Sequence, residues 1–493
     1  MRERICLELL RRWGRIEEEL NRTRNRILQK RAFVEVVLPV IILQLLLYLM
    51  SMVMNVNNGY DRIFLAQCMI TAFLILTCVK VNANRKMIMI VVALISIGIF
   101  VQHLLAKEVS GYEDGSASFL FHIICGIISF AIIMWAGNNR SKLMSLFFSD
   151  KGLYVLTAIS VVCYLACFAS GRINDASNWI IIGGVSIQGT EISKLIYFWI
   201  LGVVSNRSEF EKYGGKVLIF FSVNAICLVA NSELGYLLVI MTVTLIMVLI
   251  CTENREELFR SMKIPGVIIG ILIAIGCVIA ICMSALDLEI GFIHDVPDKI
   301  KGRILGFLYP QQYLDTYGYQ SEMVSIALYN GGFFGSGREI FLPVAESDMI
   351  FAVTIAKLGL IFGLIIILFY TLFLIVGSKI AYEKEDYFCM TFVVGVFVQA
   401  FYNIAAVVGV VPIAGVPLYF ISAGGSAMVC AMIMVAIVIS VLGSKYQIDK
   451  KEVKNNEKTN DDESSDCRNM LDGISGGNIG CENGSDTRDI TGN

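Results

Sequence analysis

The chain has 493 residues, of which 56% are hydrophobic and 17% are charged, and its formal net charge is −2. This composition is too apolar for a soluble domain, so it excludes the soluble classes of enzyme and binding protein. It indicates a polytopic membrane protein, and we expect no nucleic-acid partner.

Apolar runs recur along the chain, and each is long enough, at about 18 to 25 residues, to cross a hydrocarbon core of about 30 Å as a helix. We therefore predict an all-α polytopic membrane protein with about twelve transmembrane helices. The predicted spans are 34–54, 63–81, 87–106, 117–136, 153–170, 190–205, 216–231, 234–251, 265–287, 349–375, 388–410 and 426–443.

The two ends of the chain differ from these spans. Residues 1–33 form an arginine-rich arm with apolar residues at helical spacing. We interpret this arm either as a helix lying on the anionic inner leaflet or as a solvated arm that only fixes topology. Residues 446–493 are rich in polar and charged residues and are predicted to form a disordered tail.

Basic residues predict the orientation of the spans. They are concentrated in the N-terminal arm and in the even-numbered connections, for example at Arg85 and Lys86, whereas the odd-numbered connections contain few. The positive-inside rule therefore predicts that both termini are cytoplasmic and that the long polar loop 288–348 lies outside. Loops of this length are often functional, and the glycines, aromatics and prolines of this one favour an ordered shape.

Polar and irregular features lie near the predicted outer ends of the spans. Glu191 and Lys194, at positions i and i+3, share one helix face and can pair, either to lock helix packing or to form a wall of a substrate cavity. Asp348 opens the tenth span, either as a helix cap or as a site residue. Segment 411–426 contains two prolines and three glycines. It predicts a broken or re-entrant helix that shares one cavity with the outer loop.

Six ordered blocks carry a resemblance to a known family. They are Ala176-Ser-Asn-Trp179 with Gln188-Gly-Thr-Glu191-Ile-Ser-Lys194, Glu233-Leu-Gly235, Gly318-Tyr-Gln320, the glycine-rich 331–337, 342–352, and the Asn, Pro and Gly pattern of 403–426. In this order they resemble the SEDS family (shape, elongation, division and sporulation), the RodA-, FtsW- and SpoVE-like membrane proteins. The resemblance implies a ten-helix core, with residues 151–445 as its SEDS-like part. Residues 34–150 would then hold two extra N-terminal spans and the first core helices.

The resemblance also implies a function. SEDS proteins are peptidoglycan glycosyltransferases that polymerise lipid II on the outer face of the bacterial plasma membrane, in elongation, division or sporulation. The implied partners are lipid II, an undecaprenyl-diphosphate-linked disaccharide peptide, and a class B penicillin-binding protein transpeptidase. One alternative is a non-catalytic scaffold for such a penicillin-binding protein. A transporter of lipid-linked substrates is less favoured, because the unusual residues cluster at the outer face and not at mid-membrane.

The implied chemistry defines the candidate site. An acceptor sugar hydroxyl attacks an anomeric carbon while a lipid diphosphate leaves. The family's general base is the Asp of an Asp-Pro pair five residues before Gly318, where this chain has Tyr313-Leu314, so the nearest carboxylate, Asp315, is the predicted catalytic base. Basic side chains or a divalent metal ion (Mg or Mn) would offset the leaving charge. The predicted substrate-binding residues are Glu191, Lys194, Arg303, Gln320, Ser321, Asp348, Ser422, Gly424 and Gly425.

Overall fold

The computed structural model of the chain describes residues 38–54, 60–81, 85–106, 115–138, 147–170, 178–182, 185–207, 210–269, 302–336, 342–413 and 415–441. Several predictions lie outside the described residues. They concern the arm 1–33, the tail 446–493, most of the ninth span 265–287 and the first part of the outer loop.

The apolar runs form helices where the sequence predicts them. The described helices are α1 (Leu38–Val53), α2 (Tyr60–Val81), α3 (Arg85–Ala106), α4 (Gly115–Asn138), α5 (Asp150–Ala169), α6 (Gly189–Ser205), α7 (Gly214–Ala230), α8 (Leu234–Cys251), α9 (255–269), α10 (302–308), α11 (Tyr319–Gly331), α12 (Ile350–Leu358), α13 (Leu360–Glu383), α14 (Tyr387–Val407) and α15 (Gly425–Val441). Short 3-10 helices occupy Phe210–Tyr213 and Pro310–Tyr313.

Within the described part of the chain, 7 helices are long and apolar enough to cross a membrane, namely α3, α4, α5, α7 with its preceding 3-10 turn, α8, α13 and α14. Helices α1 and α15 are shorter apolar helices. Every predicted span except the ninth contains a described helix over most of its length. The predicted class, an all-α multi-pass membrane protein, is therefore confirmed, while the count of about twelve spans stays a prediction.

The predicted tenth span, 349–375, needs a correction. The structure divides it at Gly359 into α12, which has 9 residues, and α13, which has 24. Gly359 has φ 88° and ψ 168°, a backbone conformation that is essentially restricted to glycine. A helix of 9 residues is only about 14 Å long, so α12 is too short to cross a membrane, whereas α13 is long and apolar enough.

The core of the bundle lies around α3 and α14, which are almost entirely buried, together with α6 and α15. A helix that is apolar on all sides packs in the interior of a bundle. The outer helices bury only one stripe, and α8, for example, leaves Leu245 and Leu249 more than half exposed. These exposed apolar faces suit contact with lipid.

Helices α1 and α2 pack against α3 through polar as well as apolar contacts. The buried Gln44 amide of α1 donates to Thr71 of α2 at 2.7 Å and to Ser96 of α3 at 3.1 Å. This amide therefore connects all three helices. Hydrogen bonds between helices add to van der Waals packing in a membrane, so the connection stabilises their association.

Two irregular segments bring helix ends to one place. An antiparallel hairpin, β1 (Trp179–Ile182) and β2 (Val185–Gln188), pairs Trp179 with Gln188 and runs directly into α6. Residues 408–424 are non-helical where described, and most of 416–422 is buried in protein. This agrees with the predicted broken helix, because irregular backbone at membrane depth survives only inside protein or along a cavity.

Candidate active site

A cavity of about 880 Å³ opens at the end of the bundle where these two segments meet. Its walls come from α4, the hairpin, the start of α8, the loop after α10, the 343–349 loop and the 413–426 segment. The lining residues are His122, Asn178, Trp179, Ser186, Gln188, Glu233, Arg303, Tyr317, Gln320, Ser321, Pro343, Val344, Glu346, Ser347, Asp348, Met349, Ile413, Gly415, Pro417, Ala423, Gly424, Gly425 and Ser426.

Among the described elements, five helices begin at this cavity. The lining includes the residues that precede α6, α8 and α12, which are Gln188, Glu233 and Met349. It also includes Gln320 in the first turn of α11 and Gly425 at the start of α15. A helix N-terminus presents unpaired N–H groups and a partial positive charge, so the cavity favours an anionic ligand.

One basic side chain of the lining, Arg303, adds to this positive field. The Arg303 guanidinium donates through Nη1 to the carbonyl of Ile413 at 3.1 Å, which fixes it at the cavity wall. Burial lowers the pKa of Arg303, while the charges of Glu233 and Asp348 act in the opposite direction. Glu233 accepts a 2.7 Å hydrogen bond from Asn178. Arg303 therefore faces two carboxylates across the cavity.

The pKa of the Asp348 carboxyl lies well above its ordinary value. Burial raises its pKa to about 6, and the nearby charge of Glu346 acts in the same direction. Arg303 and a hydrogen bond from Ser347 oppose the shift. A carboxyl with a pKa near 6 is ionised at neutral pH and is still a useful proton acceptor.

The backbone that carries Asp348 is anchored at three consecutive carbonyls. The carbonyls of 346–348 accept, in order, from Gln102 at 2.8 Å, Ser422 at 2.6 Å and Asn403 at 2.8 Å. Gln102 and Asn403 also donate to carbonyls of segment 416–421, at 3.0 and 2.7 Å. Three side chains thus tie the acidic loop to α3, to α14 and to the irregular segment.

Beneath the cavity, α6 contributes a fully buried ion pair. Lys194 Nζ lies 2.9 Å from Glu191 Oε2, and both side chains are 0% exposed. Tyr236 and Tyr419 donate to the two oxygens of Glu191 at 2.8 and 2.9 Å. Lys194 donates to Gln399 at 2.8 Å and lies over both tyrosine rings. Such complete pairing is what allows two charges to remain in a dry interior.

The comparison with known proteins now identifies the family. The family model described as Cell cycle protein, FTSW_RODA_SPOVE, matches residues 84–447. The chain belongs to this family. The match begins after α2, so α1 and α2 lie outside it.

Individual relatives agree with this membership. A probable peptidoglycan glycosyltransferase FtsW of Wigglesworthia glossinidia brevipalpis is 31% identical over 309 residues, 59% of this chain and 76% of the relative. The stage V sporulation protein E of Bacillus subtilis is 25% identical over 401 residues, 75% of this chain and 99% of the relative.

A solved structure also has the same fold. It is a chain in a study of polymerization and crosslinking by a peptidoglycan synthase complex, at a TM-score of 0.53 and 18% sequence identity. The alignment covers 74% of this chain and 99% of that chain.

The structure gathers most of the site residues predicted from the sequence. Those in the cavity lining are Arg303, Gln320, Ser321, Asp348, Gly424 and Gly425. Glu191, Lys194 and Ser422 are buried outside the lining, where they hold neighbouring segments. Asp315 is exposed and is not part of the lining, so its catalytic role stays a prediction. Tyr313, at the family's Asp position, ends the short 3-10 helix.

Other residues of the site were missed from the sequence. His122 of α4 packs against Gly425 so closely that a side chain there would meet its ring at 2.7 Å. Glu233 was noted only as part of the Glu233-Leu-Gly235 block. It precedes α8, but its side chain makes no capping bond and lines the cavity. The amide of Gln102 could have been noticed as a polar group inside an apolar span, whereas Asn403 was recognised as part of the 403–426 pattern but not as an anchor of the acidic loop.

No described residues form a cluster of three or more His, Cys, Asp or Glu side chains that could hold a metal ion. The divalent metal ion therefore stays a prediction. Mg²⁺ is often bound by one or two carboxylates together with substrate phosphates, a mode that needs no such cluster.

Proposed function

We propose that this protein is a peptidoglycan glycosyltransferase that polymerises lipid II into glycan strands. The observation that carries the proposal is the cavity at one end of a membrane bundle, where helix N-termini and Arg303 converge. This suits a diphosphate on a lipid tail, because the helix ends and the guanidinium favour negative charge while the tail stays in the bilayer. The names of the curated relatives support the same reaction.

The orientation and the partner are parts of this proposal. The basic residues of the even-numbered connections support cytoplasmic termini and an outward-facing cavity. The partner is a class B penicillin-binding protein, and the likeness to a chain of a peptidoglycan synthase complex supports it. A divalent metal ion, Mg or Mn, adds counter-charge to the leaving diphosphate.

The test is a polymerisation assay with purified protein in liposomes. Fluorescent lipid II is supplied with and without the penicillin-binding partner and with Mg²⁺ or Mn²⁺, and glycan strands are resolved on gels. We expect strands from the wild type and at least a tenfold loss in Arg303→Ala, since this removes the cation at the cavity wall. Arg260→Ala, at an exposed position of α9, is the matched control and should behave as the wild type. A wild type that makes no strands under all of these conditions contradicts the proposal.

One observation favours a second function, a non-catalytic scaffold for the same partner. The family's catalytic Asp position is Tyr313, and a tyrosine phenol does not replace a carboxylate as a general base. A scaffold would make no polymer on its own or with its partner, yet would co-purify with the partner. The same liposome assay, with a pull-down of the partner, separates the two functions.

A further inference from the structure

The proposed polymerisation needs a proton acceptor inside the cavity. Tyr313 has replaced the family's Asp, and Asp315 is exposed outside the lining. Three described carboxylates do line the cavity, and the inference, which rests on the proposed function, concerns which of them takes the proton. They are Glu233, Glu346 and Asp348.

We propose that Asp348 is the general base of this protein, and that Gln102, Asn403 and Ser422 are the positioning residues that hold it. The carboxylate lines the cavity and faces Arg303, the cation best placed to receive a diphosphate. The base and the cation therefore line the same space. This is required because the acceptor hydroxyl attacks, and the lipid diphosphate leaves, the same anomeric carbon.

The surroundings of Asp348 leave its carboxylate accessible. Gly415 lies beside the Asp348 carboxylate and has no side chain to cover it. A Cβ placed on Gly415 would have Asp348 Oδ2, 3.6 Å away, as its nearest neighbour. Asp348 accepts a hydrogen bond from Ser347, as Glu233 accepts the 2.7 Å bond from Asn178. The space beside Gly415 is what gives an acceptor sugar hydroxyl a path to Asp348.

The anchoring of the backbone gives Asp348 the fixed position that a base requires. Each carbonyl of 346–348 is bonded by a side chain from a different element, α3, α14 or the irregular segment. The amide of Ala423 adds a fourth bond, 2.8 Å long, to the carbonyl of Glu346. Since small displacements of a reacting group reduce the rate strongly, these bonds serve catalysis as well as folding.

The titratable groups that share the cavity with Asp348 suit proton transfer near neutrality. Glu346 lies on its own loop, Arg303 on α10, Glu233 at the start of α8 and His122 on α4. Burial raises the pKa of Asp348 to about 6, with Glu346 adding to the shift and Arg303 opposing it. The carboxyl is therefore ionised at pH 7 and becomes protonated as the pH falls through about 6.

The step balances without a further reactant. The acceptor hydroxyl oxygen forms a bond to the anomeric carbon of the donor sugar, and the bond between that carbon and the diphosphate oxygen breaks. The leaving lipid diphosphate keeps the electron pair, and Arg303 offsets its charge. The hydroxyl proton passes to Asp348 and later to water.

The test compares variants in the liposome assay across pH 5–8. In Asp348→Asn we expect polymerisation to fall about 100-fold or more, with lipid II binding within threefold of the wild type. The wild-type rate should decline below pH 6, and Asp348→Glu should move this limb of the profile. Ser422→Ala should lower kcat about tenfold with KM unchanged, as expected for a positioning residue. Glu256→Gln, an exposed carboxylate of α9, is the matched control for charge removal.

Each outcome decides a separate question. Full activity in Asp348→Asn overturns the assignment of the base and leaves the proposed function intact. If Asp315→Asn is inactive while Asp348→Asn remains active, the base is Asp315, and the assignment to Asp348 is again overturned. Absence of polymer from the wild type with its partner overturns the proposed function, and the inference with it.

Discussion

Replacement of Lys194 by Met tests the buried ion pair beneath the cavity. The substitution removes a cation that lies 2.9 Å from Glu191 in a pair with no solvent exposure. Glu191 would then be a buried carboxylate with two tyrosine donors and no counter-charge. We expect the free energy of unfolding to fall by about 3 kcal/mol, the lower end of the range of about 3–5 for one broken buried pair, since both tyrosine bonds remain.

The double variant Glu191→Gln with Lys194→Met provides the decisive comparison. Removing both charges also removes the uncompensated anion, so the double variant should lose only about 1 kcal/mol. Unfolding free energies come from SDS titration in mixed micelles, analysed as a double-mutant cycle. The surface pair of Lys379 and Glu383, 3.9 Å apart and more than half exposed, is the matched control, and Lys379→Met should cost less than about 0.5 kcal/mol.

Two results would refute this reasoning. One is a Lys194→Met variant as stable as the wild type, which would mean that water reaches Glu191. The other is a double variant as unstable as the single variant, which would mean that the loss comes from packing and not from the unpaired charge.

Three further changes test other parts of the structure in the same unfolding assay. Gly359→Ala should lower the free energy of unfolding by more than about 2 kcal/mol, because Gly359 has a φ of 88° and a Cβ there would lie 2.2 Å from the carbonyl oxygen of Phe333. Gly266→Ala is the control and should not destabilise the protein, because the nearest atom to a Cβ there is 3.7 Å away. The raised pKa of Asp348 makes the native state bind more protons than the unfolded state between about pH 4 and 6, so the stability of the wild type should fall by about 2–3 kcal/mol as the pH rises through this range. Asp348→Asn should abolish this fall. Ser149→Ala should cost about 1 kcal/mol by removing the cap that accepts from Gly152 at 3.1 Å, and Ser149→Asp should retain it. An unchanged stability in Gly359→Ala or Ser149→Ala, or an unchanged pH dependence in Asp348→Asn, would contradict the interaction on which that prediction is based.

The membrane spans were readable from the sequence because apolar length is a strong and local signal. The predicted span 234–251 coincides with α8, for example. The break at Gly359 was missed, because apolar residues continue on both sides and one glycine does not end such a run. What fixes the break is a distant neighbour, the carbonyl of Phe333, which only the tertiary structure brings to it.

The site was predictable only where motifs placed charges near helix ends. Asp348 was found in this way, Arg303 was predicted from the need for a cation at the leaving diphosphate, and the pairing of Glu191 with Lys194 followed from their spacing. Their burial beneath the cavity was not predictable, because Gln399 and Tyr419 lie more than 200 residues further along the chain.

The polar side chains of the spans were harder to interpret. The role of Gln102 was unpredictable for the same reason, since its acceptor at Glu346 is 244 residues away. A single amide in an apolar run can bond to many different partners, and local sequence does not select among them.

The anchoring of the acidic loop has a consequence for how this site can change during evolution. The bonds to 346–348 use main-chain oxygens, which every amino acid possesses. Mutation at these positions can therefore alter the reactive groups of the cavity while the loop keeps its path. Gln102, Asn403 and Ser422, in contrast, are tied to their roles by their own side chains. A cavity held in this way can change the side chains of its acidic loop without a change in the residues that hold the loop.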